Sequence, residues 1–389
     1  MRPFRSHPTS HSLSLALTAL TALATLALAL PFRSSANAIA YQITDLGTLG
    51  GLSSEGLSIN ASGQVLGSSS LPGNTATHAT LWTGTTPTDL GSLGGSFSSG
   101  YGINIHGQMT GSSLLSGNTV TRATRWTDST PTALESLTPN SLFSNGYSIN
   151  ASGQIVGDSH LTGPFGFSAM RAVRWIGTTP TDLGTLGGDQ SRALGINDSG
   201  QVTGGAQYLG NSIYHAVRWT GTTPTDLGTL GGYQSEGTGI NASGQIAGWS
   251  LLAGNTRTHA VRWTNTTPTD LGTLGGLNSY GYGINTAGDV VGMSDLPGNV
   301  GTHPFLFTNG VLYDIFTLLL IGHNVTNLSV SSKGGNINDS GQIAATGTIG
   351  GVTHALRLDP VIVPEPTTFT LLALTSLPLL TRRRRSPRP

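Results

Sequence analysis

Residues 226–270 read DLGTLGGYQSEGTGINASGQIAGWSLLAGNTRTHAVRWTNTTPTD, and this stretch decides the fold because it holds one complete copy of a unit that recurs along the chain. The leading position of the unit falls at Asp45, Asp89, Ala133, Asp182, Asp226, Asp270 and Asp314. Five of the six intervals are 44 residues long, and the third is 49 residues long because of an insertion around residues 163–167. Seven copies at this regularity predict a tandem-repeat architecture.

Three blocks are shared by the copies and predict short β-strands joined by turns. An Asp-Leu-Gly block, expected to form a strand first over residues 43–50, precedes a Gly-Ile-Asn-x-x-Gly-Gln block (239–245) and a His-Ala-x-x-Trp block (259–263). Asn and Gly tolerate the backbone of tight turns, so Asn-x-x-Gly should join two strands, and Thr-Thr-Pro-Thr should be a turn. Four strands in about 44 residues match one blade of a β-propeller.

The phase of the repeats predicts how the array closes. The domain opens on an Asp-Leu-Gly strand and ends on a His-Ala strand near residues 354–358. Pairing the first strand into the last sheet completes that sheet and removes two exposed edges. We therefore predict an all-β fold, a seven-bladed β-propeller closed by its N-terminal strand. A β-solenoid is the alternative.

Composition and charge exclude several function classes. Residues 41–360 contain ten basic and seventeen acidic residues, a formal charge of −7 that argues against nucleic acid as a partner. The chain has no cysteine, which excludes disulfides, thiolate metal sites and a cysteine nucleophile. No known phosphate-loop, nucleophile-elbow or zinc-protease motif is present, and we expect neither a cofactor nor a bound metal.

Both ends of the chain have the composition of targeting segments. Residues 1–40 combine a basic start, a Leu/Ala-rich run and a closing Ala-x-Ala site, which is the order of a secretory signal peptide. Residues 41–360 are the predicted repeat domain, 361–366 a linker, and 367–389 a tail with a Leu-rich stretch shorter than the ~20 residues of a membrane-spanning helix. The linker and tail carry Pro364, Glu365, Pro366, Arg382, Arg383, Arg384 and Arg385. Such a tail should act as a transient transmembrane stop, with its arginines held on the cytoplasmic side.

The tail resembles the PEP-CTERM sorting signal, which has a Pro-Glu-Pro motif, a short hydrophobic stretch and an Arg cluster in this order. The resemblance covers about 27 residues. It implies recognition by a membrane exosortase, cleavage near the Pro-Glu-Pro motif, and release or attachment at the surface of a Gram-negative bacterium. In that class, export usually accompanies production of extracellular polysaccharide.

The three blocks of the repeat resemble the HAF-type extracellular repeat, named for His-Ala-Phe. Here Val or Thr usually replaces the Phe. The resemblance covers the whole repeat domain and implies secretion and tandem repetition. It implies no established catalytic activity and transfers no functional residues.

Two repeated polar positions could carry chemistry, but a structural role fits both better. One slot holds His in five units and Arg in two, and Arg cannot replace a metal ligand. We expect each His to bridge a strand to a neighbouring turn within its own blade. The Asp that leads six of the seven units should accept hydrogen bonds from backbone amides in its turn.

An active site would break the repeat with unmatched polar residues. The weak candidate site is Asp158 and His160, next to the insertion in the third unit. The other unmatched residues are Tyr208, Tyr214, Trp249 and Lys333. Glutamates are scarce in the repeat domain, which favours binding over a catalytic pair of carboxylates.

The sequence therefore predicts an exported, monomeric, non-catalytic protein of the cell surface or extracellular matrix. Its loops between the second and third strands would bind glycan or another protein. The alternative is a propeller hydrolase or lyase that acts on extracellular polysaccharide.

Overall fold

The computed structural model describes residues 38–139, 141–162, 168–210, 212–333 and 335–363. Three predicted segments lie outside this range. They are residues 1–37 of the signal peptide predicted over 1–40, the insertion at 163–167, and the sorting residues Pro364, Glu365, Pro366 and Arg382–Arg385. Residues 40–361 form one compact unit. Within the described part, no helix combines the length and hydrophobicity needed to cross a bilayer.

The described strands form seven four-stranded antiparallel units, numbered here in chain order. The opening strand β1 is Ala38–Asp45. Unit 1 has β2 (Ser54–Ile59), β3 (Val65–Ser70), β4 (Thr77–Thr83) and β5 (Thr86–Asp89). Unit 2 has β6 (Gly94–Ile103), β7 (Met109–Leu115), β8 (Thr121–Thr127) and β9 (Thr130–Ala133). Unit 3 has β10 (Ser144–Ile149), β11 (Ile155–Thr162), β12 (Ser168–Ile176) and β13 (Thr179–Asp182). Unit 4 has β14 (Gly187–Ile196), β15 (Val202–Tyr208), β16 (Tyr214–Thr220) and β17 (Thr223–Asp226).

The remaining units follow the same order. Unit 5 has β18 (Gly231–Ile240), β19 (Ile246–Leu252), β20 (Thr258–Thr264) and β21 (Thr267–Asp270). Unit 6 has β22 (Ser279–Ile284), β23 (Val290–Asp295), β24 (Thr302–Thr308) and β25 (Val311–Asp314), followed by the short helix α1 (Ile315–Leu318). Unit 7 has β26 (Val325–Ser329), β27 (Ile343–Ile349) and β28 (Val352–Val363). Single parallel bridges, Thr77 to Phe97 and Tyr214 to Gln234, link unit 1 to unit 2 and unit 4 to unit 5.

The fourth strand of unit 7 is β1, as the phase of the repeats predicts. The order of that sheet is β1-β28-β27-β26. The Leu46 amide donates to the Ala355 carbonyl at 3.0 Å, and Tyr41 is buried. The all-β propeller prediction is confirmed, and the β-solenoid alternative is wrong because an open coil cannot pair its first strand with its last.

The assignment of the outermost strand from sequence was wrong. Thr-Pro-Thr, expected to be a turn, forms the fourth strand of five units together with the residue that follows it, while the Leu-Gly-Thr-Leu type of segment after it is a loop rather than a strand. Proline is tolerated there because the outermost strand is a sheet edge whose outward N–H needs no partner. In the loop, Gly228 has a φ of +71°, a conformation that side chains disfavour.

The tryptophans at equivalent positions of five repeat units fill the space between neighbouring units. Trp126 of unit 2 packs with Leu66 and Leu90 of unit 1, and all three are buried. The indole N–H of Trp175 donates to the Glu135 carbonyl at 2.7 Å, whereas the equivalent N–H groups of the other four tryptophans have no protein acceptor. These rings therefore stabilise the array chiefly as buried apolar surface.

The Asn of the Gly-Ile-Asn block does more than shape a turn. Its Oδ1 accepts a hydrogen bond from a backbone N–H of its own unit, as Asn197 does from Gln201 at 3.0 Å. Its Nδ2 donates a hydrogen bond to the next unit. The crossing bond reaches the carbonyl of the next unit's Asn, as from Asn197 to Asn241 at 3.1 Å and from Asn338 back to Asn60 at 3.0 Å. Six of the seven Asn residues make this crossing, so a belt of hydrogen bonds surrounds the axis at one end of the strands.

The seam between units 6 and 7 lacks this belt. Asn285 Nδ2 keeps the local bond, here to Asp289 at 2.9 Å, but makes no crossing bond to the next unit. Pro304 occupies the position where other units use an Ala N–H to bond a Ser of the next unit, as Ala355 does with Ser54. The Thr286 amide still donates across this seam to Asp339 at 2.8 Å, and an enlarged apolar cluster that includes buried Ile315 stabilises it further.

Candidate ligand-binding site at the axial channel

The innermost strands of all seven described units surround an axial cavity of about 160 Å³. Its wall is lined by the Ile before the repeated Asn in units 1 to 6 and by Lys333 and Gly335 in unit 7. In four units a glycine precedes that Ile. The glycine before that Ile allows close approach of neighbouring strands, because a Cβ at Gly102 or Gly239 would lie within 3 Å of a backbone carbonyl of the next unit. The channel is narrow, so a ligand of any size must bind at its mouth.

One mouth of the channel is where the repeat symmetry breaks. Along each inner strand the Ile and Asn positions are constant, but the position after the strand's Ser varies. That position holds Glu55, Ser99, Asn145, Arg192, Glu236 and Tyr280 in units 1 to 6, and its counterpart by sequence in unit 7, Lys333, lies in a turn after β26. The facing positions on the second strands of units 1 to 6 are Ser68, Ser112, Asp158, Gly205, Trp249 and Met293. This mouth lies at the end of the strands where the loops between the second and third strands emerge, because Gly94 pairs with Leu115.

Asp158 is the anchor of this mouth. Its side chain is 1% exposed and accepts hydrogen bonds from Asn145 Nδ2 and from the Tyr147 hydroxyl, both at 2.9 Å. Arg192 Nε of unit 4 lies 3.3 Å from Asp158 Oδ2 and forms an ion pair between units. Burial and the Asp158 charge raise the pKa of Tyr147, so this phenol stays a donor.

Glu236 extends the cluster into unit 5. Its carboxylate accepts from the Tyr214 hydroxyl at 3.0 Å. Burial raises the pKa of Glu236, while Arg192 and hydrogen bonds from Tyr214 and Trp249 oppose that shift. A Cβ at Gly205 would overlap the Tyr214 ring, so this glycine makes room for the phenol. Burial lowers the pKa of Arg192. Tyr147, Glu236 and Asp158 together outweigh this effect, so the pKa of Arg192 is raised.

Lys333 belongs to unit 7, whose backbone lies on the other side of the mouth, and is the chain's only lysine. Its Nζ lies 4.8 Å from the centre of the Tyr147 ring and 5.7 Å from that of Tyr101, across the channel from its own unit. Burial and Arg192 lower the pKa of Lys333, and Asp158 and Glu236 oppose this shift. We call Asp158, Arg192, Glu236 and Lys333, with Tyr101, Tyr147, Tyr214 and Trp249, the channel cluster.

The sequence-predicted residues are divided between this cluster and the outer face. Asp158, Tyr214, Trp249 and Lys333 meet at the channel. His160, on the same strand as Asp158, has its ring 5.5 Å from that of Phe143, and Tyr208 donates to Asp226 on the outer side of unit 4. Sequence reasoning missed Arg192, Tyr101 and Tyr147, and aligning the inner-strand positions of the seven units would have identified Arg192.

The repeated histidines have the structural role that their slot predicts. Nδ1 of each lies 2.8 to 3.0 Å from the Asp carboxylate of the same outer edge, as in His259 with Asp270 and His354 with Asp45. That Asp also accepts the backbone N–H two residues later, as Asp270 does from Gly272 at 2.8 Å. Arg171 replaces His with the same partner type, at 3.1 Å from Asp182.

These pairs lie in separate units, and the described residues contain no group of three or more His, Asp or Glu side chains that could hold a metal ion.

Comparison with solved structures agrees with the architecture. An acylaminoacyl peptidase from Pyrococcus horikoshii is similar with a TM-score of 0.50 at 8% identity, over 85% of this chain and 55% of that one. The β-propeller domain of the Trilobed protease from Pyrococcus furiosus, described as having an open velcro topology, gives a TM-score of 0.47 at 10% identity, over 66% of this chain and 79% of that one. A putative TolB from Agrobacterium tumefaciens gives 0.42 at 12% identity, over 65% of this chain and 90% of that one.

No protein-family model and no curated protein sequence matches the chain. The likeness to the peptidase and the strand order together establish a β-propeller fold.

Proposed function

We propose that this protein is an exported, non-catalytic β-propeller that binds extracellular glycan at the mouth of its axial channel. The observation that carries the proposal is the concentration of unmatched aromatic and charged residues at this mouth, within an otherwise uniform array. Binding faces of repeat proteins vary where the scaffold does not.

The aromatic residues suit a sugar ligand. Trp249 and Tyr280 are partly exposed, and their ring centres are 6.1 Å apart in an edge-to-face arrangement. An aromatic face packs against the C–H face of a pyranose, and neighbouring carboxylates and amides accept or donate to its hydroxyls. Glu55 is exposed at the same mouth and makes no salt bridge among the described residues, so its oxygens are free to accept such hydroxyls.

The second candidate is a polysaccharide hydrolase or lyase, favoured by the convergence of Asp158 and Glu236 on Arg192. A glycosidase needs one carboxyl that can release a proton and one free to act as base or nucleophile. Here Asp158 accepts two hydrogen bonds and forms an ion pair with Arg192, and Glu236 is held by Tyr214 and Trp249, which suits a fixed polar scaffold better. Binding is therefore the better-supported function.

A glycan array probed with the full chain tests the proposal. Trp249→Ala should abolish or strongly weaken the binding seen with the unchanged chain. Tyr313→Ala, an exposed aromatic on β25 of the outer edge, is the matched control and should leave binding intact. Binding only to proteins, or glycan binding that both variants retain, would contradict the proposed site. Release of reducing ends from a bound polysaccharide, lost in Asp158→Asn or His160→Ala, would establish the catalytic alternative.

Export and sorting form the second part of the proposal and rest on the terminal sequences. We expect exosortase to process the chain at the Pro-Glu-Pro motif and to release it or retain it at the surface. Cell fractionation with Glu365→Ala, and separately with Arg382–Arg385 changed to Ala, should show accumulation of the unprocessed chain in the membrane. Normal delivery of both variants would contradict the sorting role.

A further inference from the structure

We propose that Lys333 is the carboxylate-binding residue of the channel mouth and that the ligand is a saccharide containing an acidic sugar. This inference rests on the proposed glycan-binding function and names the class of glycan. It goes beyond the aromatic platform, which would accept neutral sugars equally well.

Lys333 is a partly buried cation that forms no salt bridge among the described residues, and the Asp158 and Glu236 charges compensate it only at longer range. Its Nζ lies over the rings of Tyr147 and Tyr101. A cation on aromatic faces is attracted by the ring quadrupoles but keeps its donors unused. The lowered pKa of Lys333 has burial as its main cause and shows that the charged form is disfavoured without a partner. A ligand carboxylate would supply that partner through a charge-assisted hydrogen bond.

The other charges of the cluster are already paired. Arg192 lies against Asp158 at 3.3 Å and is further stabilised by Glu236, so its positive charge is compensated within the protein. The compensated half of the mouth belongs to units 3 to 5, and Lys333 belongs to unit 7. An incoming anion therefore meets one cation that has no salt-bridge partner of its own among the described residues.

The charge of the whole domain restricts the ligand further. Residues 41–360 carry a formal charge of −7, so the surface repels a dense polyanion. One local cation within such a surface suits recognition of a single acidic residue, such as a uronate at a chain end or isolated among neutral sugars. Exposed Glu55, at the neighbouring ring position, would disfavour a second carboxylate close by.

The test uses the full chain and pairs of oligosaccharides that contain one galacturonate, glucuronate or mannuronate residue, each with its carboxyl-reduced neutral counterpart. Calorimetry should show at least about tenfold tighter binding of the acidic member of one pair, the effect expected for one charge pair. Lys333→Gln should remove that preference and leave the neutral member's affinity within about twofold. Arg171→Gln, the matched loss of a cation on the outer edge, should change neither affinity.

Because Lys333 is the sole lysine, reductive methylation labels it and the chain's α-amino group alone. The NMR resonance of its labelled methyl groups should report a rise in the pKa of Lys333 on binding the acidic oligosaccharide and no rise with the reduced one. Equal affinity within every pair, or a preference that survives Lys333→Gln, would overturn the inference and leave glycan binding intact. Absence of binding by any glycan, acidic or neutral, would instead refute the proposed function itself.

Discussion

The ion pair between Asp158 and Arg192 gives the sharpest test of the channel cluster. Replacing Arg192 with Met keeps an unbranched apolar stem but leaves a carboxylate whose side chain is 1% exposed without its cation. Breaking a fully buried pair typically costs about 3–5 kcal/mol in the free energy of unfolding. Because the Arg192 side chain is 33% exposed and Asp158 keeps its bonds from Asn145 and Tyr147, we expect about 2–4 kcal/mol.

Arg171→Met is the matched control. It breaks an Arg–Asp pair at 3.1 Å in the same unit as Asp158, but the side chains of Arg171 and Asp182 are 21% and 35% exposed. Exposed pairs contribute about 0–1 kcal/mol, so this variant should lose little stability. Urea unfolding at neutral pH, followed by circular dichroism and extrapolated linearly to water, measures both costs.

The charge explanation also predicts a rescue. Asp158→Asn combined with Arg192→Met removes both charges and should recover at least half of the stability lost in Arg192→Met. If Arg192→Met costs no more than Arg171→Met, the pair does not anchor the mouth. If the double variant is no more stable than Arg192→Met, the cost comes from lost packing rather than from an unpaired carboxylate.

Three further outcomes follow from the geometry. Trp175→Phe should destabilise the protein by about 1 kcal/mol more than Trp219→Phe, since only the first loses a hydrogen bond, and equal costs in urea unfolding would contradict this. Gly205→Ser should displace the Tyr214 ring and weaken glycan binding while the far-ultraviolet circular dichroism stays unchanged; undiminished binding would exclude the phenol from the site. Burial raises the pKa of Tyr282 to about 12, whereas a tyrosine in the unfolded chain has a pKa of ~10. The stability that the neutral Tyr282 phenol contributes is therefore complete below pH ~10 and is lost as the pH rises from ~10 through ~12. Tyr282→Phe should flatten that alkaline decline, measured as unfolding free energy against pH, and an unchanged slope would refute the assignment.

The architecture could be predicted because its signals are local and repeated. Spacing fixed the number of units, and the phase of the first and last blocks indicated that β1 completes the sheet of β28. The outer strand was misassigned because a segment with proline between small polar residues, such as Thr-Pro-Thr-Asp, has the composition of a turn. Only the position of that strand at a sheet edge, a tertiary property, makes proline acceptable there.

The candidate site was only partly predictable. Asp158 and Lys333 were identified as unmatched residues, but nothing local indicates that the neighbouring units bring Arg192 and Tyr147 to the same point. Asn197 shows the same limit of sequence-based prediction. Its bond to Gln201 is enough to explain an Asn in a turn, so nothing in the sequence indicates the second bond, to Asn241 of the next unit. Contacts between units depend on how repeats are arranged in space, which the pattern within one repeat does not specify.

The pairing of β1 with β28 has a consequence for the order of events during synthesis. His354 meets Asp45 across 309 residues of sequence, so the first strand to leave the ribosome waits for nearly the whole chain before its partner exists. Until then the backbone donors of β1 are unpaired and the Tyr41 ring is exposed, and both favour aggregation. A chain cut short before β28 would therefore leave both its earliest and its latest segments without a partner, which makes completeness a condition for a stable product.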